Sequence, residues 1–174
     1  IGWMTETEKL EPASIARHLA SIRSFYRFLK LEERVKETAV DLLAAPSLWQ
    51  RIPQVLSPDS VTKLLESPQE TDRYWLRDKA LLETLYATGC RASETVGLKL
   101  EDIQLAEGYC KCFGKGSKQR IVPLGSHAVE SLKRYLAEMR PKLCRPDGPS
   151  NLFLSRAGQP MDRITLWRIV KLHA

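Results

Sequence analysis

Nowhere does the chain approach the roughly 18 consecutive apolar residues of a membrane span, so the sequence excludes a helix crossing a bilayer. The opening residues, IGWMTETEKL, lack the basic and apolar stretches of a secretory leader, and no signal peptide is expected. Repeats and low-complexity tracts are missing as well. The four cysteines, Cys90, Cys110, Cys112 and Cys144, form no C-x-x-C pair and have no histidines at metal-ligand spacing. Free thiols, buried or half-buried, are therefore favoured over a metal site or a disulfide, and a reducing cytoplasm fits. Two segments contain no acid at all. Between Glu11 and Glu32 the only charged side chains are Arg17, Arg23, Arg27 and Lys30; between Glu107 and Glu130 they are Lys111, Lys115, Lys118 and Arg120.

What is present is a globular composition: 174 residues, 43% hydrophobic, 28% charged and 7% aromatic, enough to bury a core in one or two domains. The net charge of +6 is modest, but its distribution is not. Solvated surfaces mix signs, so two acid-free segments imply a polyanion lying against both. Nucleic acid is the first candidate partner and an anionic membrane surface the second.

Residues 13–30, ASIARHLASIRSFYRFLK, have helical period, with Ile15, Leu19, Ile22, Tyr26 and Leu29 in one stripe. The opposite side carries Ser14, Arg17, Ser21 and Ser24, with Arg23 and Arg27 on its flank. An ordinary solvated face is one reading. Serine is a mediocre helix former, however, and small hydroxyls beside arginines let a helix axis approach a phosphate backbone or enter a groove. Ser14, Arg17, Ser21 and Arg23 are the candidate DNA contacts. A short helix is expected over 33–44, ERVKETAVDLLA. Pro46, Pro53 and Pro58 then mark an extended linker over 46–57, dividing a helical domain (1–45) from a second domain (58–174). Ser57-Pro58-Asp59 is a helix start: serine at the N-cap, proline at N1, acid in the first turn.

Downstream, LRDKALLETLYATG ends at Gly89, where a left-handed residue is wanted, and RASETVGL and SHAVESLKRYLAEM read as further helices. Between them DIQLAEGYCKCFGKGSKQRIVPL changes to strand period, giving a small antiparallel sheet with a glycine-rich tip. NLFLSRAGQPM reads as a hairpin and ITLWRIVKL as another helix. The fold class expected is mainly α with one small antiparallel β-sheet.

Two positions carry chemistry. Arg91 sits in a turn between core-forming segments, three residues before Glu94. The pair reads either as an ion pair fastening the turn or as a guanidinium braced by Glu94 and aimed at an oxyanion, for which its permanent charge and forked donors suit it. FGKGSKQR departs from a nucleotide-binding P-loop at two positions, Tyr109 and Gly116, and lies between strands, so nucleotide binding is rejected. Its glycines leave Lys115 at a tip able to lie against a ligand, with Lys118 and Arg120 able to reach neighbouring phosphates; a solvated basic hairpin is the alternative.

LYATGCRASE…VGL…DI followed by GKGSKQRIVPL closely resembles the N-terminal half of the catalytic domain of Xer-type tyrosine recombinases, in the phage integrase family. ASIARHLASIRSFYRFL resembles the last DNA-contacting helix of that family's core-binding domain, and LWQRIPQVLSP the linker between the two. The resemblance implies site-specific DNA recombination: a tyrosine attacks a phosphodiester, forming a 3′-phosphotyrosyl bond and releasing a 5′-hydroxyl. It implies that Arg91 is the first catalytic arginine and Lys115 the hairpin lysine that protonates the leaving oxygen. No metal or nucleotide cofactor is implied, and the partners are duplex DNA and further protomers in a tetramer. The family's His-x-x-Arg pair and tyrosine match nothing here, so the chain reads as an internal piece, inactive by itself. A non-catalytic DNA-binding protein with the same fold is the alternative.

Overall fold

The computed structural model describes residues 4, 8–36, 39–44, 46, 55–114 and 118–174. It divides into two compact units, Ile1–Gln54 and Val55–Ala174. Residues 47–54, most of the expected linker, lie outside the described residues.

In the first unit, α1 spans Pro12–Leu31, with Pro12 at the first helical position, where a missing N–H costs nothing. Ile15 and Leu19 of the expected stripe are buried, while Arg17, Ser21, Ser24 and Arg27 face solvent. The helix stops at a local motif: Glu33 takes a left-handed φ of 54°, and the Arg34 amide donates back to the Leu29 carbonyl at 2.9 Å. That stop corrects the helix expected over 33–44. The described residues there form a turn and a single 3-10 segment, Ala39–Leu42.

In the second unit, α2 (Pro58–Glu66) starts as its sequence directs, the Ser57 hydroxyl accepting the Ser60 amide at 3.2 Å. The next helix, α3 (Trp75–Thr88), closes on Gly89 at φ 56°, whose amide donates to the Leu85 carbonyl at 3.0 Å. After it come α4 (Ala92–Gly97) and a 3-10 turn, Leu100–Asp102. The strands β1 (Ile103–Gln104), β2 (Tyr109–Phe113) and β3 (Gln119–Pro123) make an antiparallel sheet in the order β1-β2-β3. The pairing sets Cys110 opposite Val122 and Cys112 opposite Arg120, so these four point to one face and Lys111 and Ile121 to the other.

The helix α5 (Ser126–Arg134) runs on through a π-helical turn, Tyr135–Met139, into α6 (Arg140–Leu143). The chain returns through a short hairpin bridged at Leu154 and Pro160 and ends in α7 (Arg163–His173), capped by Asp162 accepting the Thr165 amide at 2.7 Å. One core joins these elements: Ala80 and Leu81 of α3, Leu98, Cys110 and Cys112 of β2, Leu132 and Tyr135, Leu152 and Phe153, and Leu166 and Ile169 of α7. Fully burying each large aliphatic side chain contributes roughly 1.5–3 kcal/mol. Tyr135 stacks on Phe153 with centroids 5.7 Å apart, and its hydroxyl accepts the buried Leu154 amide at 3.2 Å. The Arg140 guanidinium donates to the carbonyls of Pro149, Asn151 and Leu152, tying the return segment to the helices.

Candidate active site

The turn carrying Arg91 is rigid for local reasons. Gly89 ends α3, the Thr88 hydroxyl accepts the Cys90 amide at 3.2 Å, and Arg91 takes extended angles (φ −64°, ψ 152°) as the residue preceding α4. Glu94 reaches back, one oxygen accepting the Arg91 amide at 3.0 Å and the other the Arg91 Nη1 donor at 3.0 Å. A glutamate at N3 is where a helix start favours a carboxylate, so the sequence dictates the brace.

A second cation completes it. The β2–β3 register turns Arg120 inward, and its Nη2 donates to Glu94 Oε2 at 2.7 Å. The Glu94 side chain is 5% exposed, while that of Arg91 is 73% exposed. The hydrogen bond from Arg120 above all, then the Arg91 amide and guanidinium, pulls the Glu94 carboxyl down to about 2, against the opposing effect of burial. Two guanidiniums thus share one carboxylate, leaving an excess positive charge. Arg91 spends one of its five N–H donors on Glu94 and makes no other side-chain hydrogen bond among the described residues. Its remaining donors face solvent, placed to take two oxygens of an anion.

Beneath this clamp lies a bed of thiols. Cys90 Sγ is 2.8 Å from Cys112 Sγ, and Cys110 Sγ is 3.4 Å from Cys112 Sγ; all three thiols are free and buried. Burial pushes the Cys110 and Cys112 thiols up, keeping them uncharged.

Lys115 lies outside the described residues. The root of its hairpin is closed by the Gly114 amide donating to the Lys118 carbonyl at 2.8 Å. A Cβ placed on Gly114 would stand 3.4 Å from Arg120 Nη1 and 3.8 Å from Glu94 Oε1. The residue before Lys115 therefore borders the carboxylate that holds Arg91. Lys118 is exposed. Of the residues singled out in the first unit, Arg17 and Ser21 are exposed and Ser14 and Arg23 half-buried. The Ser21 hydroxyl donates to the Arg17 carbonyl at 3.1 Å, and the Arg23 guanidinium donates to the Leu43 carbonyl. Sequence reasoning gave Arg120 to phosphate contacts and did not foresee its bond to Glu94. The signal was the alternation in β3, where Arg120 and Val122 share a side.

The second unit is mainly helical with one small antiparallel sheet, and it displays a braced arginine beside the root of a hairpin. The profile of the phage integrase family matches residues 54–173, and the chain belongs to that family. It is 40% identical over 168 residues to tyrosine recombinase XerD of Chlorobaculum tepidum, covering 95% of this chain and 55% of that protein. It is 42% identical over 158 residues to the XerD of Halalkalibacterium halodurans, covering 91% and 53%. The chain thus spans about half the length of the relatives it matches. Among solved structures, a lambda integrase tetramer bound to a Holliday junction shares the fold at a TM-score of 0.71 and 18% identity, over 99% of this chain and 48% of that one. XerH site-specific recombinase in a pre-cleavage complex with difH aligns at a TM-score of 0.57 and 28% identity, over 71% and 37%.

Proposed function

We propose that the chain carries the phosphate-holding part of the active site of a site-specific DNA recombinase, which cuts and rejoins DNA through a 3′-phosphotyrosyl intermediate. The observation that supports this most is the Glu94 clamp: an exposed guanidinium braced by a carboxylate and beside the root of a basic hairpin, in a member of the phage integrase family. Arg91 takes the non-bridging oxygens of the scissile phosphate, where negative charge builds in the transition state. A fixed donor of that kind is worth roughly 10²–10³ in rate. Lys115 gives a proton to the leaving 5′ oxygen; at its reference pKa of about 10.4 a lysine enters the reaction protonated at neutral pH. Arg120 holds Glu94, and Lys118 on the hairpin reaches a neighbouring phosphate. The nucleophile is assigned to none of the chain's five tyrosines; Tyr135, for one, is buried with its hydroxyl engaged by Leu154.

Ser14, Arg17, Ser21 and Arg23 on α1 form the second contact with the duplex. The domain limits are taken as 1–45 and 58–174, with 46–57 a linker that lets both grip DNA. The working assembly is a tetramer of protomers on two duplexes, in the cytoplasm; no helix among the described residues is long and apolar enough to cross a membrane. The test is made in a protein of the relatives' full length, on a suicide substrate. Lys115→Ala should abolish cleavage while duplex affinity stays within a few-fold, and retained cleavage would remove Lys115 from its role. Binding of duplex by the 174-residue chain should weaken with salt at a log–log slope near −0.9 per phosphate neutralised. A flat salt response would overturn the DNA interface.

A further inference from the structure

The second unit holds a recess that the strand-transfer reading does not use. It lies between the start of α3, the 154–160 hairpin and α7, encloses about 410 Å3, and is lined by Tyr74, Arg77, Ser155, Arg156, Thr165 and Arg168. A neighbouring hollow of about 500 Å3 shares Tyr74 and Arg156 and adds Arg73, Lys142 and Arg145. Among the described residues, no carboxylate lines either one. The recesses around Lys79 and Glu83 differ in this respect, mixing lysine with Glu66 or Glu130. Arg91, Glu94 and Arg120 line none of these cavities, so the basic recess is a separate place on the surface.

Arg77 is the residue that needs explaining. It is 5% exposed, and a buried guanidinium is costly unless its donors are met. Asp78 accepts its Nε at 2.8 Å, but the terminal nitrogens make no hydrogen bond among the described residues. Asp78 is itself shared, its other oxygen lying 3.7 Å from His173 Nε2. The Arg77 guanidinium lies over the Tyr74 ring at 4.6 Å, with Arg73 over the same ring at 5.4 Å. The stack fixes its orientation, leaving one edge satisfied and the other opening on an acid-free recess. Arg156 and Arg168, both exposed, stand at the rim, and Ser155 and Thr165 add hydroxyl donors.

From these features we infer that the recess is a binding site for a phosphate-class oxyanion. Guanidiniums converging on one space repel each other unless an anion sits between them, and forked donors match phosphate oxygens two at a time. The volume lies within the range of small-ligand sites, so a pyrophosphate or a mononucleotide fits. The phosphate comes either from a free phosphorylated molecule or from a DNA backbone. This inference does not depend on the recombinase reading, which places its phosphate at Arg91.

Calorimetry of the 174-residue chain with pyrophosphate tests it. Saturable binding with one site per chain is expected, and Arg156→Ala or Arg168→Ala should each weaken it roughly tenfold. Arg168→Lys should recover part of the loss, and Lys63→Ala, outside the recess, should change nothing. The rim arginines are chosen because both are exposed, whereas removing Arg77 strands a buried Asp78. A short duplex then separates the sources. If it displaces pyrophosphate, and Arg168→Ala weakens both equally, the site takes backbone phosphate; if both bind together, it takes a free ligand. Absence of saturable binding, or equal binding by the Arg156→Ala/Arg168→Ala double variant, overturns the site.

Discussion

Replacing Glu94 with glutamine keeps the side chain's shape and removes its charge. The carboxylate accepts from three donors, the Arg91 amide, Arg91 Nη1 and Arg120 Nη2. An amide has one oxygen, and the orientation that keeps two of the three turns that oxygen toward the Arg91 amide and Arg120. Its NH2 group then faces Arg91 Nη1, donor against donor, and the Arg91 guanidinium is released. In a protein of the relatives' length, cleavage should fall about 10- to 100-fold, short of the full loss of a transition-state donor, with duplex affinity little changed. A second readout uses proton linkage. The folded carboxyl sits at about 2 against an ordinary value of 4.5, so its contribution to stability is complete above pH 4.5 and is lost as pH falls through about 2. Midway, near pH 3.2, about 95% of unfolded carboxyls and about 6% of folded ones are protonated by those two values, so unfolding takes up about 0.9 proton at this residue. The glutamine variant has no such uptake. Urea midpoints followed from pH 6 to pH 3 should therefore fall less steeply in the variant than in the parent. Parallel profiles, or unchanged cleavage, would refute the idea that Glu94 holds Arg91 as an ionised brace.

Two stability predictions follow from the core. Tyr135→Phe strands the Leu154 amide in the interior and should cost roughly 1–3 kcal/mol in urea unfolding; an unaltered midpoint would mean that amide has another acceptor. Gly158 has φ 73°, and a Cβ there would meet the Leu143 carbonyl oxygen at 2.3 Å, so Gly158→Ala should cost more than about 1–2 kcal/mol. Gly97→Ala, with nothing within 4 Å, should be neutral or slightly stabilising in the same melt, and equal losses at the two positions would count against the close approach at Gly158.

Much of the molecule was legible because its signals are local. The Ser57-Pro58 start of α2 and the stop at Gly89 each need only neighbouring residues, and each formed as read; of the apolar stripe of α1, Ile15 and Leu19 are buried and Ile22, Tyr26 and Leu29 half-buried. Arg91 and Glu94 lie within one helical turn, so their pairing was visible as well. The helix expected over 33–44 failed because Glu33 adopts a left-handed angle that satisfies the end of α1, a backbone choice that a glutamate does not advertise. The continuous helix expected through Met139 is interrupted by the π-helical turn beginning at Tyr135, whose buried hydroxyl meets an amide 19 residues further on.

The order of residues alone placed an arginine at a helix start with a glutamate three residues on, near enough to pair with it. Only the folded chain decided that Arg120, 26 residues beyond Glu94, turns inward to share it, because strand register and not local preference sets which way a β side chain points. The fold likewise gathered Arg77, Arg156 and Arg168 around one space, from positions too far apart in sequence to read as a group. Charge type is written residue by residue; which charges face one another depends on how helices and strands pack.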